Sequence, residues 1–327
     1  MRKEVLWAIV AGIVLGLIVA FGVFRINSKL SANKKADPMA SPTPQAGTIG
    51  EFKIVLDKPE NADVITEDSV TVSGLTKPLA WVTLSGESGD FTIQSDSTGV
   101  FSQAVDLTPG VNQIKATAFN PAGSQSATGV LVVYSSSFVE RTLPVSSPAG
   151  VASGTSDIRA KVAQDVANTL NHPKAYIGTV TDITDSTIQI KTTGSVIAQI
   201  SVKADGTTVV NSVGTTSKTV KITDIAIGDF IVAMGYIEGN SVLSAQRILI
   251  TTPVTESKID VKLGKVSDIV KKSVTSKTNI EIYENGATKS AKFSDLAQTD
   301  QVIYVNTIDA NDKAILRSIF VIPQSQG

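Results

Sequence analysis

Two stretches in the C-terminal half of this chain repeat one another, and a duplicated stretch must form a unit that folds twice. Ile177-Gly178-Thr179-Val180-Thr181-Asp182-Ile183 is matched by Leu263-Gly264-Lys265-Val266-Ser267-Asp268-Ile269 at an offset of 86 residues. Further on the offset is 71. There Ile222-Thr223-Asp224-Ile225 and Gly228-Asp229-Phe230-Ile231-Val232 are matched by Phe293-Ser294-Asp295-Leu296 and Thr299-Asp300-Gln301-Val302-Ile303, and Ala245-Gln246-Arg247-Ile248 by Leu316-Arg317-Ser318-Ile319. One supersecondary unit has been copied, with a change of length near its start. Thr299 stands where the first copy has Gly228, so the turn there need not be the same. Hairpin signals at Asp205-Gly206, Gly239-Asn240 and Asn285-Gly286 predict five or six strands per copy. Closure of each copy into a small barrel is the economical architecture, because it removes free strand edges.

The other end of the chain is of a different kind. Val5 to Phe24 is twenty residues without a charge, and thirteen of them are Val, Leu, Ile or Phe. As a helix it covers roughly 30 Å, the thickness of a bilayer's hydrocarbon core. A cleavable signal peptide has a shorter apolar region and a small-x-small site after it, whereas Arg25-Ile26-Asn27 follows here. The expectation is an uncleaved anchor, embedded in membrane lipid through Val5 to Phe24. Arg2 and Lys3 precede the span and Arg25, Lys29, Lys34 and Lys35 follow it, which by charge alone puts the C-terminus in the cytoplasm. The composition of the remaining chain argues for the opposite orientation, which is the one expected. Ala8, Gly12, Gly16 and Ala20 fall on one face of the span at four-residue spacing, where a second copy can pack as a weak homodimer.

The expected organisation is an anchor over 1–30, a flexible stalk over 31–50, a β-sandwich over 51–135, a linker over 136–154, a helix over 155–172, and β-barrel repeats over 173–252 and 253–327. The stalk is rich in Pro, Ser, Ala and Gly and nearly empty of large apolar groups. There is no cysteine in the 327 residues, which excludes disulfides, thiol catalysis and thiolate metal sites. Beyond residue 50 the chain has 23 Lys and Arg (29 less 6) against 28 Asp and Glu (30 less 2), a formal charge of −5. Such a surface does not attract nucleic acid.

Between Phe52 and Tyr134 seven short alternating segments recur at a spacing near ten: 52–56, 70–72, 80–84, 91–93, 100–101, 113–118 and 130–134. That is the pattern of an antiparallel sandwich. Val72-Ser73-Gly74, Asp96-x-x-Gly99-x-Phe101, Leu107-x-Pro109-Gly110-x-Asn112-x-Ile114 and Ala118-x-Asn120-x-Ala122-Gly123 resemble the bacterial immunoglobulin-like domain of the glucodextranase-associated type. The resemblance implies a spacer, an adhesion unit or an accessory to sugar-active enzymes, with no catalytic residues. Trp81 is the candidate contact residue. With Ala80, Val82 and Leu84 pointing inward, Trp81 and Thr83 point to the other face. There the indole can stack on a sugar or anchor a protein, or it can lie against the next domain.

From Ser156 to Asn171, Ile158, Val162, Val166 and Leu170 recur at four-residue steps behind a Ser156 cap, predicting a short amphipathic helix that His172-Pro173 ends. His172, the single histidine, reads as a boundary residue. The copies that follow, with Gly178-x-Val180-x-x-Ile183 and Gly264-x-Val266-x-x-Ile269 as openings and Ala245-x-x-Ile248 as one ending, resemble an uncharacterised bacterial family of exported β-barrel domains. That resemblance implies a fold similar to the oligonucleotide/oligosaccharide-binding barrel and nothing about chemistry.

No nucleophile triad, phosphate loop or dinucleotide fingerprint is present in the sequence. Asp309-Ala310-Asn311-Asp312-Lys313 starts like a calcium loop, but Lys313 occupies a ligand position, so it reads as a hairpin turn. Asp63, Glu67 and Asp68 read as a solvated loop in preference to a calcium site. No cofactor, metal or catalytic residue is expected. The expected fold class is an all-β ectodomain, an Ig-like sandwich plus two OB-like barrels, behind one transmembrane helix. The expected function is a non-catalytic bacterial surface protein for adhesion, envelope structure or protein interaction. The alternative is a carbohydrate-binding accessory module beside a polysaccharide-active enzyme or a secretion or pilus system. A glycan or an envelope protein is the partner either reading calls for.

Overall fold

The computed structural model describes residues 52–120, 123–140, 172–214, 216–254, 258–270, 273–284, 286–309 and 312–323. The anchor with its Ala8, Gly12, Gly16 and Ala20 face, the stalk, most of the linker and the helix expected over 155–172 lie outside the described residues. Among the described residues, regular structure consists of strands and single-turn 3-10 segments, and no helix is long and apolar enough to cross a membrane.

The sandwich contributes β1 (Val55–Lys58), β2 (Asp63–Ile65), β3 (Ser69–Leu75), β4 (Trp81–Ser85), β5 (Asp90–Gln94), β6 (Val100–Asp106), β7 (Gly110–Phe119) and β8 (Gln125–Tyr134). One layer has the order β1-β3-β6 and the other β2-β8-β7-β4-β5. Inward residues of both layers, among them Val72, Val82, Leu84, Phe101, Val105, Ile114, Ala116 and Val132, form one dry core. Polar side chains fix its turns. Asp96 Oδ1 accepts from the amides of Thr98 (2.8 Å) and Val100 (2.9 Å), and Asn112 Oδ1 accepts from the Thr108 amide (2.8 Å). Gly99 sits at φ +90°, where a Cβ would also collide with the Thr76 carbonyl.

The first copy contributes β9 (Lys174–Ile183), β10 (Thr187–Thr192), β11 (Ile197–Ser201), β12 (Thr208–Asn211), β13 (Lys218–Val220), β14 (Phe230–Glu238) and β15 (Val242–Thr251). β9 pairs with β10, β10 with β11, β11 in parallel with β15, β15 with β14, and β14 back with β9. The ring closes around Val180, Ile188, Ile190, Ile200, Ile231, Leu243 and Ile248. Its strands bend tightly at two glycines: a Cβ on Gly178 would collide with the Lys191 carbonyl, and one on Gly235 with the Ser244 carbonyl. The β12-β13 hairpin extends from the ring, β12 running parallel to β15.

The second copy contributes β16 (Ile259–Lys265), β17 (Asn279–Glu284), β18 (Ala287–Ser290), β19 (Gln301–Ile308) and β20 (Ala314–Val321) in the order β16-β19-β20-β17-β18. Its registers repeat those of the first. Gly264 pairs with Val302 as Gly178 pairs with Ile231, Ile280 with Ile319 as Val209 with Ile248, and the bulge at Val305/Asn306 matches that at Met234/Gly235. The expectation of a second closed barrel is corrected by this topology: nothing among the described residues corresponds to β10 and β11, and the sheet stays open. The fall in offset from 86 to 71 equals the 15 residues of Thr187–Ser201, which span that hairpin.

Packing explains how the open copy tolerates the loss. Ala233 and Ala245, which face the hairpin's isoleucines in the ring, are replaced by Tyr304 and Leu316, which fill the vacated volume. The backbone changes as well. The stretch matching Val180-Thr181-Asp182, a strand in the first copy, is a 3-10 turn at Val266–Asp268, held by Asp268 Oδ2 accepting from the Lys265 amide (2.7 Å). Without a β10 to pair with, an extended strand there would leave its amides unmatched. The turn at Thr299 nevertheless keeps the pattern of the Gly228 turn: Asp300 Oδ2 accepts from the Ala297 amide as Asp229 Oδ2 does from Ala226.

Candidate functional site

The modules do not hang as separate beads. The outer face of the β2-β8-β7-β4-β5 layer carries residues that alternate with the core positions, and both repeats dock on it. On β7, Ile114, Ala116 and Ala118 point into the sandwich, while Val111 meets the first copy and Phe119 the second. Each repeat presents the same face, since Ala175, Ile177, Val232 and Met234 in the first junction correspond to Val261, Leu263, Ile303 and Val305 in the second.

The first junction is a backbone weld. The Ala175 amide donates to the Ala62 carbonyl (2.8 Å) and the Val64 amide to the Pro173 carbonyl (3.0 Å), so β2 joins β9 and the sandwich layer runs on into the ring. Asp63 is 2% exposed at this seam. Lys174 Nζ lies 2.6 Å from Asp63 Oδ1 and 2.7 Å from Glu60 Oε2, and the Glu60 amide donates to Asp63 Oδ2 (2.8 Å). His172 Nε2 lies 3.2 Å from that same oxygen. Hydrogen bonds from Lys174 and Lys58 hold the Glu60 carboxyl down at about 2. Asp63 therefore serves a structural ion pair, while Glu67 and Asp68 stay exposed. Phe138, expected within a linker, is buried beside Tyr236, which corrects the boundary of that segment.

The second junction is made by side chains. Trp81 does point away from the sandwich core, but onto Tyr283 (centroids 5.2 Å apart, edge-on) and Phe320 (5.5 Å). Of the two readings of Trp81, the structure shows the contact with a neighbouring domain: its indole packs against the second repeat. Ser318 Oγ donates to Asp90 Oδ2 (2.8 Å), Arg317 lies 3.4 Å from Asp90 Oδ1 and donates to the Gly86 carbonyl (2.8 Å), and Lys115 Nζ donates to the Ile259 carbonyl (2.6 Å).

Between the junctions the middle of the sheet face remains open. A cavity of about 550 Å³ lies over Gln113, Gly129 and Leu131, reached by Thr193, Gly194 and Val254 of the first copy. A second, of about 400 Å³, lies beside Lys115 and Lys258. A third cleft, of about 480 Å³, runs between the sandwich exit at Tyr134–Ser137 and the outer face of β15, and among the described residues Arg247 is the one cation or carboxylate that lines it. The Arg247 Nε is enclosed and has no hydrogen-bond partner, and burial lowers the guanidinium's pKa.

None of the three cavities brings together a nucleophile, a base and an orienting group, and among the described residues no three His, Cys, Asp or Glu side chains gather to hold a metal. The Asp309 segment forms the β19-β20 hairpin turn, Asp309 Oδ1 accepting from the Lys313 amide (2.9 Å). Sequence reasoning read Asp63 as part of a solvated loop, which its burial corrects, and it missed Asp90 and Arg247. One signal was available: Arg247 and Arg317, the only arginines among the described residues, both fall in the closing motif of the repeat, one position apart.

No family model and no curated protein sequence matches the chain. Among solved structures it is similar to a tetra-tandem repeat from the extending region of a large adhesion protein, with 15% identity, 83% of this chain and 73% of that one covered, and a TM-score of 0.21. A 1.5-MDa bacterial ice-binding adhesin gives 15%, 83%, 95% and 0.20 on the same measures. A Ca2+-stabilised adhesin of an ice-binding Antarctic bacterium gives 17%, 83%, 72% and 0.18. TM-scores of this size carry neither a fold nor a function over to this chain.

Proposed function

We propose that the chain is a non-catalytic, single-pass membrane protein of the bacterial surface, whose extracytoplasmic part is a fused block of β-modules for adhesion, envelope structure or protein interaction. The observation that carries this reading is the use of one sandwich face to fix both repeats. A chain that commits Trp81, Asp63 and Asp90 to joining its modules has the properties of a spacer and display platform, with the binding surfaces held at set positions. The Val5–Phe24 run supplies the tether, and the Ala8, Gly12, Gly16 and Ala20 face supplies a route to a weak homodimer. In finer terms the sandwich is an immunoglobulin-like module, and the ring order β9-β10-β11-β15-β14 is that of an OB-like barrel, of which the second copy is an opened relative.

Protease shaving of intact bacterial cells tests the reading. The β-modules should be removed from the outside and the N-terminal 30 residues should remain with the membrane. Full protection of the repeats on intact cells, with cleavage only after lysis, overturns the orientation, and release of the mature chain lacking its first thirty residues overturns the anchor.

A further inference from the structure

We propose that the cleft around Arg247 is a binding site for a carboxylated saccharide, with the guanidinium holding the carboxylate of a uronate and the surrounding hydroxyls holding the sugar ring. Arg247 lies on the outward side of β15, half-buried, in a cleft that contains no acidic side chain among its described lining residues. Its Nε is enclosed without a partner. An enclosed N–H of a charged group that lacks an acceptor is unfavourable, and an anion entering the cleft completes it.

The second repeat shows what completes this place on the fold. The position equivalent to Arg247 is Ser318, and there a carboxylate, Asp90 of the sandwich, is held by Ser318 and by the neighbouring Arg317. In the first repeat the strand position is kept, but no carboxylate among the described residues lines the cleft around it. One cation fits a single negative charge in a bidentate fork, whereas a doubly charged phosphate would be left half-neutralised. The walls select further: Tyr134, Ser136, Ser212, Ser217 and Thr251 line the cleft, and Ser212 and Ser217 already share a hydrogen bond at 3.1 Å. Hydroxyl walls of this density suit a polyol, and about 480 Å³ falls within the roughly 300–1,000 Å³ of small-molecule sites. The excess of acidic groups over the rest of the chain argues for recognition at this one cation and against general attraction of anions.

The inference does not depend on the membrane tether, so its failure leaves the proposed function standing and the reverse also holds. The test is calorimetric titration of the full-length protein in detergent with digalacturonate, its dimethyl ester and neutral galactobiose. The acid should bind at least tenfold more tightly than either neutral compound. Arg247→Gln should abolish that preference with an unchanged near-ultraviolet spectrum, and Arg247→Lys should weaken binding several-fold. Ser212→Ala with Ser217→Ala should weaken digalacturonate. Absence of binding, equal binding of acid and ester, or wild-type affinity in Arg247→Gln overturns the site. Competition by acetate or by a peptide's free C-terminus at the same concentration as the uronate overturns the saccharide assignment.

Discussion

The two repeats reach the same sandwich face by different means, and the difference separates what the repeat needs in order to fold from what it needs in order to dock. The first copy is a closed ring joined through backbone hydrogen bonds and a buried Asp63–Lys174 pair. The second is an open sheet joined by an aromatic cluster and the Asp90 contacts. Both present the same strands, so docking belongs to the β9/β14 and β16/β19 face and does not require closure. Closure is a local matter, decided by one hairpin and by the size of two residues opposite it.

The largest expected effect tests the weld. Asp63→Ala removes the buried partner of Lys174, which is 17% exposed and keeps Glu60, and it leaves the Glu60 amide without its acceptor. The cost should be about 3 kcal/mol, the low end of the range for breaking a buried pair. Urea denaturation should show that loss, and hydrogen exchange should show opening at Ala175; a loss under 1 kcal/mol would mean that the backbone bonds hold the seam unaided. Next in size is a glycine pair. Gly178→Ala drives a Cβ into the Lys191 backbone and should cost about 3 kcal/mol, while Gly264→Ala meets only the movable Asp268 side chain and Tyr304 ring and should cost about 1 kcal/mol. Equal thermal shifts for the two would mean that closure imposes no special strand geometry.

Trp81→Ala, at a half-buried indole, should cost about 2 kcal/mol and act on coupling more than on either module. Its signature in calorimetry is a second, earlier transition from the C-terminal repeat, and a single unchanged transition would show that Asp90 and Lys115 suffice. The smallest effect concerns acid. Glu60 is depressed from 4.5 to about 2, so its contribution is complete above pH 4.5 and is lost as pH falls toward 2. Because Glu60 is more than half exposed, solvent screening holds that contribution below about 1 kcal/mol. Glu60→Gln should flatten the acid limb of a stability profile by that amount and leave pH 7 to 9 unchanged in shape.

Much of the fold was legible because it is written locally. The sandwich strands announce themselves by alternation, the turns by Asp96, Gly99 and Asn112, and the duplication by matched motifs. β2 was not legible: Asp63-Val64-Ile65 is too short for a period and begins with a carboxylate, so its apolar pair reads as loop. The open second sheet was half legible, since the shortened offset gave the missing length but not what the length had done. Trp81 shows the remaining limit. Period two correctly sent it away from the core, but what covers a sheet's outer face depends on Tyr283 and Phe320, two hundred residues further on. The site at Arg247 was hidden for the same reason, because its cleft exists only once Tyr134–Ser137 lies across β15.

The seam at Asp63 also has a mechanical meaning. It joins two points 111 residues apart, so a pull on the two ends of the β-modules passes across a pair of backbone bonds and one ion pair, bypassing the chain between them. Should that staple give way, the sandwich and the segment behind it enter the line of tension. At about 3.3–3.6 Å per extended residue they hold roughly 370–400 Å of slack, a length whose release lets the tension on the whole chain fall.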